Sequence, residues 1–381
     1  MNLKDGFSRF LTAQDDRLHF AAHSHHPWPD VSWEAHNQAW LDAARLAYDK
    51  WEHVFGTVIP ETQNLIAGTL GLADPNTLTF APNTQDFVAR IFSCLDPPVR
   101  VLSTDAEFHS FARQSRRWEE AGLAIVDRVP TEPFDTFSER FTREARAGVH
   151  DLVYLSQVFF DSGFVVEDID RIVSSVSEEK AFIVIDGYHA FMALPTNIGA
   201  IQDRVFYLAG GYKYAMAGEG AGFMHSPRGY GLRPVDTGWY AGFGQLEAGV
   251  SELVPYATDG SRFAGATYDP SGVYLMRAVL TWLSAHDVGP AEIHDHVARL
   301  QKRFLDSDVS PGDLVPSLPR ARGNFLTFRT SRAPELFQAL HDRGVITDYR
   351  GDRLRVGFGV YHDDQDVDRL IQEFSSFPVD N

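Results

Sequence analysis

Six short apolar runs, TLTFAP, RVLSTD, LAIVDRV, DLVYLSQ, AFIVID and VFYLAGG, alternate with polar, helix-like segments in the first two thirds of the chain. That rhythm predicts parallel strands joined by crossover helices. FIVI and VFYLA are apolar without a break, as expected of strands covered on both faces in the middle of a doubly wound sheet. Ligand sites in such sheets lie at the carboxyl ends of the strands. The predicted fold class is α/β, with a large domain built on a mostly parallel, doubly wound sheet.

The flanking segments read differently. HFAAHSHHPWP forms an arm, and a helical pattern follows from about Trp33 to Leu72, interrupted at Pro60. Beyond about residue 270 come helices over VYLMRAVLTWLSAH and IHDHVARLQKRFL, a strand NFLTFRT, a helix PELFQALHDRG and a strand LRVGFGV, a pattern of a smaller α+β domain. A chain of 381 residues also exceeds the ~250 to 300 at which one core stops growing. The expected division is residues 1–50 as an N-terminal arm and helix packing with the small domain, 51–265 as the large domain and 266–381 as the small one.

A net charge of -18 and the lack of any basic run exclude a nucleic-acid partner. The lone cysteine, Cys94, excludes an internal disulfide framework and a multi-cysteine metal site, and sits in an apolar helical pattern, IFSCL, that reads as core. MNLKDGFSRF lacks the apolar core of a signal peptide, and no apolar run reaches the ~18 residues of a membrane span, so no membrane association and a cytoplasmic location are expected. His23, His25 and His26 invite a metal reading. Pro27 and Pro29 impose an extended arm that cannot easily converge three rings, so no metal is expected.

Of the five lysines, Lys4, Lys50, Lys180 and Lys302 lie in polar or amphipathic surroundings that read as solvated faces. Lys213 lies in VFYLAGGYKYAMAGEGAG, just past an apolar strand and among glycines. Burial there depresses an amine's pKa and makes it nucleophilic, as Schiff-base chemistry requires; the bland alternative is a lysine capping a strand. Asp186 directly follows FIVI, where a carboxylate is costly to bury without a cation such as a protonated pyridine; it also reads as a strand cap. Asn83 and Thr84 head a helix whose first amides suit an anion, although Asn-Thr is an ordinary cap. Phe108 or His109 is placed to stack on a ring, or to serve as core. There is no G-x-S-x-G and no GK[ST], and GEGAG reads as backbone room beside the lysine.

In order, these segments resemble the class V aminotransferase superfamily, which uses pyridoxal 5′-phosphate in an aspartate aminotransferase-like fold, and most closely its kynureninases. The series is NT before a helix, the aromatic of EFHS, SGF after SQVFFD, DGYH, GGYKY followed by GEGAG, GWY, SRFAGAT and LRVG. The resemblance implies Lys213 as the Schiff-base lysine and proton carrier, and Asp186 as partner of the pyridine nitrogen. It gives His189 the ring hydroxyl, Phe108 the ring face, and Asn83, Thr84 and Tyr212 the phosphate, with Tyr212 also in proton transfer. Trp239 and Thr267 would complete the cofactor pocket, Thr267 from the second subunit of a homodimer with interfacial sites. Arg355 would grip the substrate carboxylate, with His23 and Ser24 of the arm near the substrate.

The chain departs from the kynureninase pattern at Gly242 of GWYAG, where a histidine helps recognise the aryl ketone. It departs again at Ala266, Tyr268 and Ala22-His23-Ser24. The implied function is cleavage of an amino-acid side chain by a kynureninase-like hydrolase or lyase. Alternatives are an aminotransferase giving a keto acid, and a non-catalytic binding protein that keeps the fold. A cysteine desulfurase is disfavoured, because that activity needs a nucleophilic cysteine in the second lobe.

Overall fold

The computed structural model describes residues 3–15, 17–245, 253–318 and 322–376. Seven strands form the central sheet: β1 (Leu78–Ala81), β2 (Val99–Thr104), β3 (Ala124–Val129), β4 (Leu152–Ser156), β5 (Phe182–Asp186), β6 (Val205–Gly210) and β7 (Gly222–His225). Their spatial order is β1-β7-β6-β5-β4-β2-β3. Every pairing from β6 across to β3 is parallel, and β7 runs antiparallel to both β6 and β1. Each of the six apolar runs becomes one of these strands. β7 is the addition: its approach through GEGAG has no apolar periodicity to announce it.

Alternation along the central strands feeds two cores. Val153, Leu155, Ile183, Ile185 and Tyr207 point into one, while Leu152, Tyr154, Val184, Phe206 and Leu208 point into the other. Both faces are therefore covered, which is why these runs are apolar at every position.

Helix α1 (Asp30–Leu46) leads into a helical path ending in α2 (Ile59–Leu70). The break falls at Ala47, with φ of 49°, and not at Pro60. Just before the proline, Val54–Val58 form a π-helical turn, which gives its ring room against the preceding turn. The large sheet's site is framed by α3 (Thr84–Phe92) and α4 (His109–Glu120). After α5 (Ser271–Ala285) and α6 (Pro290–Leu305), a second sheet forms from β8 (Asp313–Val315), β9 (Phe325–Arg329), β10 (Asp348–Arg350) and β11 (Arg353–Gly357), in the order β10-β11-β9-β8, all antiparallel. It is covered by α6, α7 (Ala333–Asp342) and α8 (Asp364–Ser375), with Leu300, Phe304, Leu326, Leu340, Val356 and Leu370 in its core. α5 packs on α1, and its Val273, Met276, Val279 and Leu283 join the first core of the large sheet.

The N-terminal arm is tied to the second sheet. Leu18–His19 pair in parallel with Val345–Ile346, and Ala21 bridges to Gly357. A Cβ at Gly357 would stand 2.1 Å from His23 Nδ1, so only glycine lets the arm lie this close to β11. Lys4, expected on a solvated face, instead pairs with Asp363 at 2.9 Å and Asp366 at 2.7 Å. Among the described residues no helix is long and apolar enough to cross a membrane.

Buried neutral histidines make this clamp sensitive to acid. Tyr361 and His362 both donate to the His19 carbonyl at 2.7 Å. Burial pushes His19 down to about 3 and His26 down to about 4, and drives His362 well below the usual imidazole range. Their folded pKa values lie below the unfolded value of about 6.5, so the unfolded chain takes up protons that the folded one refuses. Stability is then complete above pH 6.5 and falls as the pH drops, by about 1.4 kcal/mol per unit for each such histidine. The urea midpoint, followed by tryptophan fluorescence, is expected to fall steadily from pH 7 to pH 5; a flat midpoint over that range contradicts the clamp.

Candidate active site

Asp186 and Lys213 reach one space from neighbouring strand ends. Asp186 is the last residue of β5, and Lys213 follows the end of β6, two strands that pair in parallel. Both line a cavity of about 630 Å³ at the carboxyl edge of the sheet. His189 and Tyr212 line it too, as do Asn83, Thr84 and Phe108 from the first half of the chain, and His23, Ser24 and Arg355 from the arm and second sheet. His109 does not line it; its ring packs edge-on against Phe160 with centroids 4.9 Å apart. Of the two aromatics left open by the sequence, Phe108 is the one at the cavity.

Lys213 is 8% exposed, and its Nζ lies 2.6 Å from His189 Nε2. Burial, reinforced by the Arg355 guanidinium, pushes the amine down to about 7, so a large share is uncharged at neutral pH. The Phe108 ring centroid is 5.4 Å from Nζ. Burial also drives His189 well below the usual imidazole range, with Lys213 adding to the effect. His189 Nδ1 is buried and has no hydrogen-bond partner among the described residues.

Asp186 accepts from the Tyr154 hydroxyl at 2.8 Å and from the Tyr188 amide at 2.9 Å. Burial raises its pKa, and these two donors oppose the rise. It forms no ion pair among the described residues, so a half-buried carboxylate stands oriented but lacks a cation. Behind it lies Glu107, 3% exposed, accepting from Thr104 and from Ser156, whose hydroxyl is 2.5 Å away. Burial pushes Glu107 up to about 7. Ser156 is the register partner of Asp186 across β4 and β5.

The anion end is set by α3. The Asn83 side chain caps it by accepting from the Asp86 amide at 3.2 Å. The Thr84 and Gln85 amides head the helix, where the helix supplies no internal partner. A Cβ at Gly222 would meet the Asn83 backbone at 2.8 Å, so this glycine of GEGAG lets the loop close over β7. At the other end, Arg355 is 3% exposed and forms a two-pronged pair with Asp348 through Nε, at 2.8 Å, and Nη2. Its Nη1 donates to the Phe160 carbonyl. His23 Nε2 also bonds Asp348, at 2.9 Å. The guanidinium expected to be open to a substrate carboxylate thus already holds one carboxylate.

Trp239 and Thr267 lie outside this cavity and bond each other, Nε1 to Oγ1 at 3.1 Å. Gly242 lines a different cavity, with Phe55 and Tyr240. Cys94 follows α3, and burial pushes its thiol up to about 12. Tyr154, Tyr188, Glu107, Asp348 and Arg350 were not singled out from the sequence. For Tyr154 a signal existed, a polar group inside an apolar run; Glu107 and the hairpin residues Asp348 and Arg350 had none.

A family model for class-V aminotransferases matches residues 47–314, and one for the kynureninase C-terminal domain matches 298–374. A probable cysteine desulfurase of Vibrio cholerae is 21% identical over 73% of this chain and 71% of its own length. Isopenicillin N epimerase of Streptomyces clavuligerus is 25% identical, over 78% of this chain and 79% of its own. Among solved structures, a C-DES mutant with glycine covalently linked to the PLP cofactor superposes with a TM-score of 0.81 at 15% identity, covering 97% of this chain and 99% of its own. The apo cysteine desulfurase of Thermococcus onnurineus gives 0.80 at 15%, covering 98% and 97%. At such identities the likeness is one of fold.

Proposed function

The chain belongs to the class-V aminotransferase family, and from that premise we propose that it cleaves a bond in the side chain of an amino acid, in the manner of kynureninases. Its cofactor is pyridoxal 5′-phosphate. The cavity fits that group: a buried amine for an aldehyde, a half-buried carboxylate lacking a cation among the described residues for a ring nitrogen, and helix-head amides for a phosphate. When bound, pyridoxal 5′-phosphate supplies an electron sink for charge formed at the substrate Cα.

The chain's own residues divide the remaining work. Lys213 attaches the cofactor and carries the Cα proton, a task matched to an amine pushed down to about 7. Asp186, oriented by Tyr154 and the Tyr188 amide, keeps the ring nitrogen protonated. Asn83, Thr84 and Tyr212 hold the phosphate, Phe108 covers the ring and His189 meets its hydroxyl. His23, Ser24 and Arg355 face the substrate. Trp239 and Thr267, bonded to each other away from their own cavity, complete the site of a second copy in a homodimer.

The observation that carries the reading is the sharing of one cavity by Lys213, Asp186 and Arg355, the last within the segment matched by the kynureninase C-terminal model. Sulfur transfer through a cysteine of the protein is not part of the proposal, since Cys94 does not line that cavity and burial holds its thiol protonated. The test is product analysis: holoenzyme incubated with amino acids bearing a carbonyl beyond Cβ, kynurenine included, is expected to release alanine and a carboxylic acid. Accumulation of a keto acid with pyridoxamine phosphate would instead make the chain a transaminase.

A further inference from the structure

Asp348 and Arg355 are register partners across β10 and β11, and Asp348 and Arg350 share one face of β10 because they are two residues apart. Three charged groups thus meet at the substrate end of the cavity, where Arg350 and Arg355 are both lining residues. Burial works against the charge of Asp348, but His23 and Arg355 hold its carboxyl well below the usual carboxylate range. His23, pushed down to about 4 chiefly by burial, is neutral at pH 7. The Asp348–Arg355 pair therefore carries no net charge. A substrate carboxylate entering beside it would be an uncompensated anion in a mostly buried place, which is costly.

We propose that Arg350 is the second cation of the substrate-carboxylate site, supplying the positive charge that Asp348 takes from Arg355. The inference rests on the amino-acid substrate proposed above and names how its carboxylate is held. Among the described residues Arg350 makes one ion pair, at 3.7 Å to Asp348, beyond hydrogen-bond distance. Its strand neighbour across the hairpin, Arg353, is by contrast consumed by Glu132 and Asp161. The Arg350 side chain is 45% exposed, so it has room to turn onto a carboxylate as one arrives. Two guanidiniums then face two carboxylates, Asp348 and that of the substrate. Asp348 fixes the edge that Arg355 presents, and Arg350 restores the charge balance.

The test separates charge from fold. Holoenzyme is titrated with L-alanine and with L-alaninamide, reading dissociation constants from the change in bound-cofactor absorbance. Their ratio isolates the contribution of the carboxylate. Arg350→Gln is expected to lower the preference for the acid by about 10- to 100-fold, the range of a charge-assisted hydrogen bond, with the amide's constant unchanged. Arg350→Lys should keep most of the preference, and Asp348→Asn added to Arg350→Gln should recover part of it by releasing Arg355. An intact cofactor band with an unchanged ratio in Arg350→Gln overturns this inference alone, whereas a wild-type protein with no such band overturns the proposed function as well.

Discussion

Lys213→Ala is expected to abolish covalent capture of the cofactor and to lower turnover by about 10³-fold or more, while the protein still folds. The amine is buried, and among the described residues its hydrogen-bond partner is His189, 2.6 Å away. It bonds no carboxylate among the described residues, although Asp186 and Asp348 both stabilise its charge from a distance. Burial and Arg355 outweigh them and lower its pKa to about 7, so in the folded state much of it is already uncharged at neutral pH. Removing it breaks no ion pair, and the Tyr154 and Tyr188 donors to Asp186 stay in place, so the thermal midpoint should stay near that of the parent. Activity must respond differently, because among the described residues no other lysine lines the cavity. Circular dichroism and a thermal melt check the fold, and cofactor absorbance with a turnover assay checks the chemistry. Near-normal turnover in a folded variant contradicts the role given to this amine.

The second large effect concerns Asp186→Asn. Asparagine is nearly isosteric: its oxygen can accept from the Tyr188 amide as Oδ1 does, and its NH2, in the place of Oδ2, can donate to the Tyr154 hydroxyl once that hydroxyl rotates, so the cavity should retain its shape. What it removes is the negative charge. Without that charge the ring nitrogen loses its cation-stabilising partner, and the electron sink weakens. Turnover is expected to fall by about 10²- to 10³-fold with the cofactor still attached through Lys213. The change should be visible as an altered pH dependence of the cofactor absorbance, a readout that a merely structural residue would leave alone. A variant within about threefold of the parent at all pH values removes Asp186 from the proposed chemistry.

Much of the fold could be read in the sequence because the large sheet is covered on both faces. Runs such as FIVI and VFYLA have nowhere to place a polar residue, so the first charged groups after them, Asp186 and Lys213, stand out at the strand ends. The same logic gives nothing for β7, which enters through glycines chosen for close approach to Asn83 and not for apolar content. It also misplaced the helix break: a proline is the usual signal, but the π-helical turn before Pro60 absorbs its ring, and the chain turns at Ala47 instead.

The substrate end was harder to read for a different reason. Asp348 and Arg350 lie on a short, half-exposed strand, and they matter only because β10 pairs with β11 in a register that sets Asp348 against Arg355. Composition and local pattern carry no trace of that register. Glu107 was hidden by its neighbour, since a glutamate before an aromatic reads as surface until Thr104 and Ser156 close over it.

The central claim, that one amine at the carboxyl edge of the sheet holds the cofactor, is tested most directly by chemical trapping. Borohydride reduction of the holoenzyme fixes the attached group, and peptide mapping by mass spectrometry then reports which of the five lysines carries it. The phosphopyridoxyl label is expected on the peptide containing Lys213 and on no other. A label on Lys4, Lys50, Lys180 or Lys302 in its place, or no label in protein that has bound the cofactor, would contradict the account.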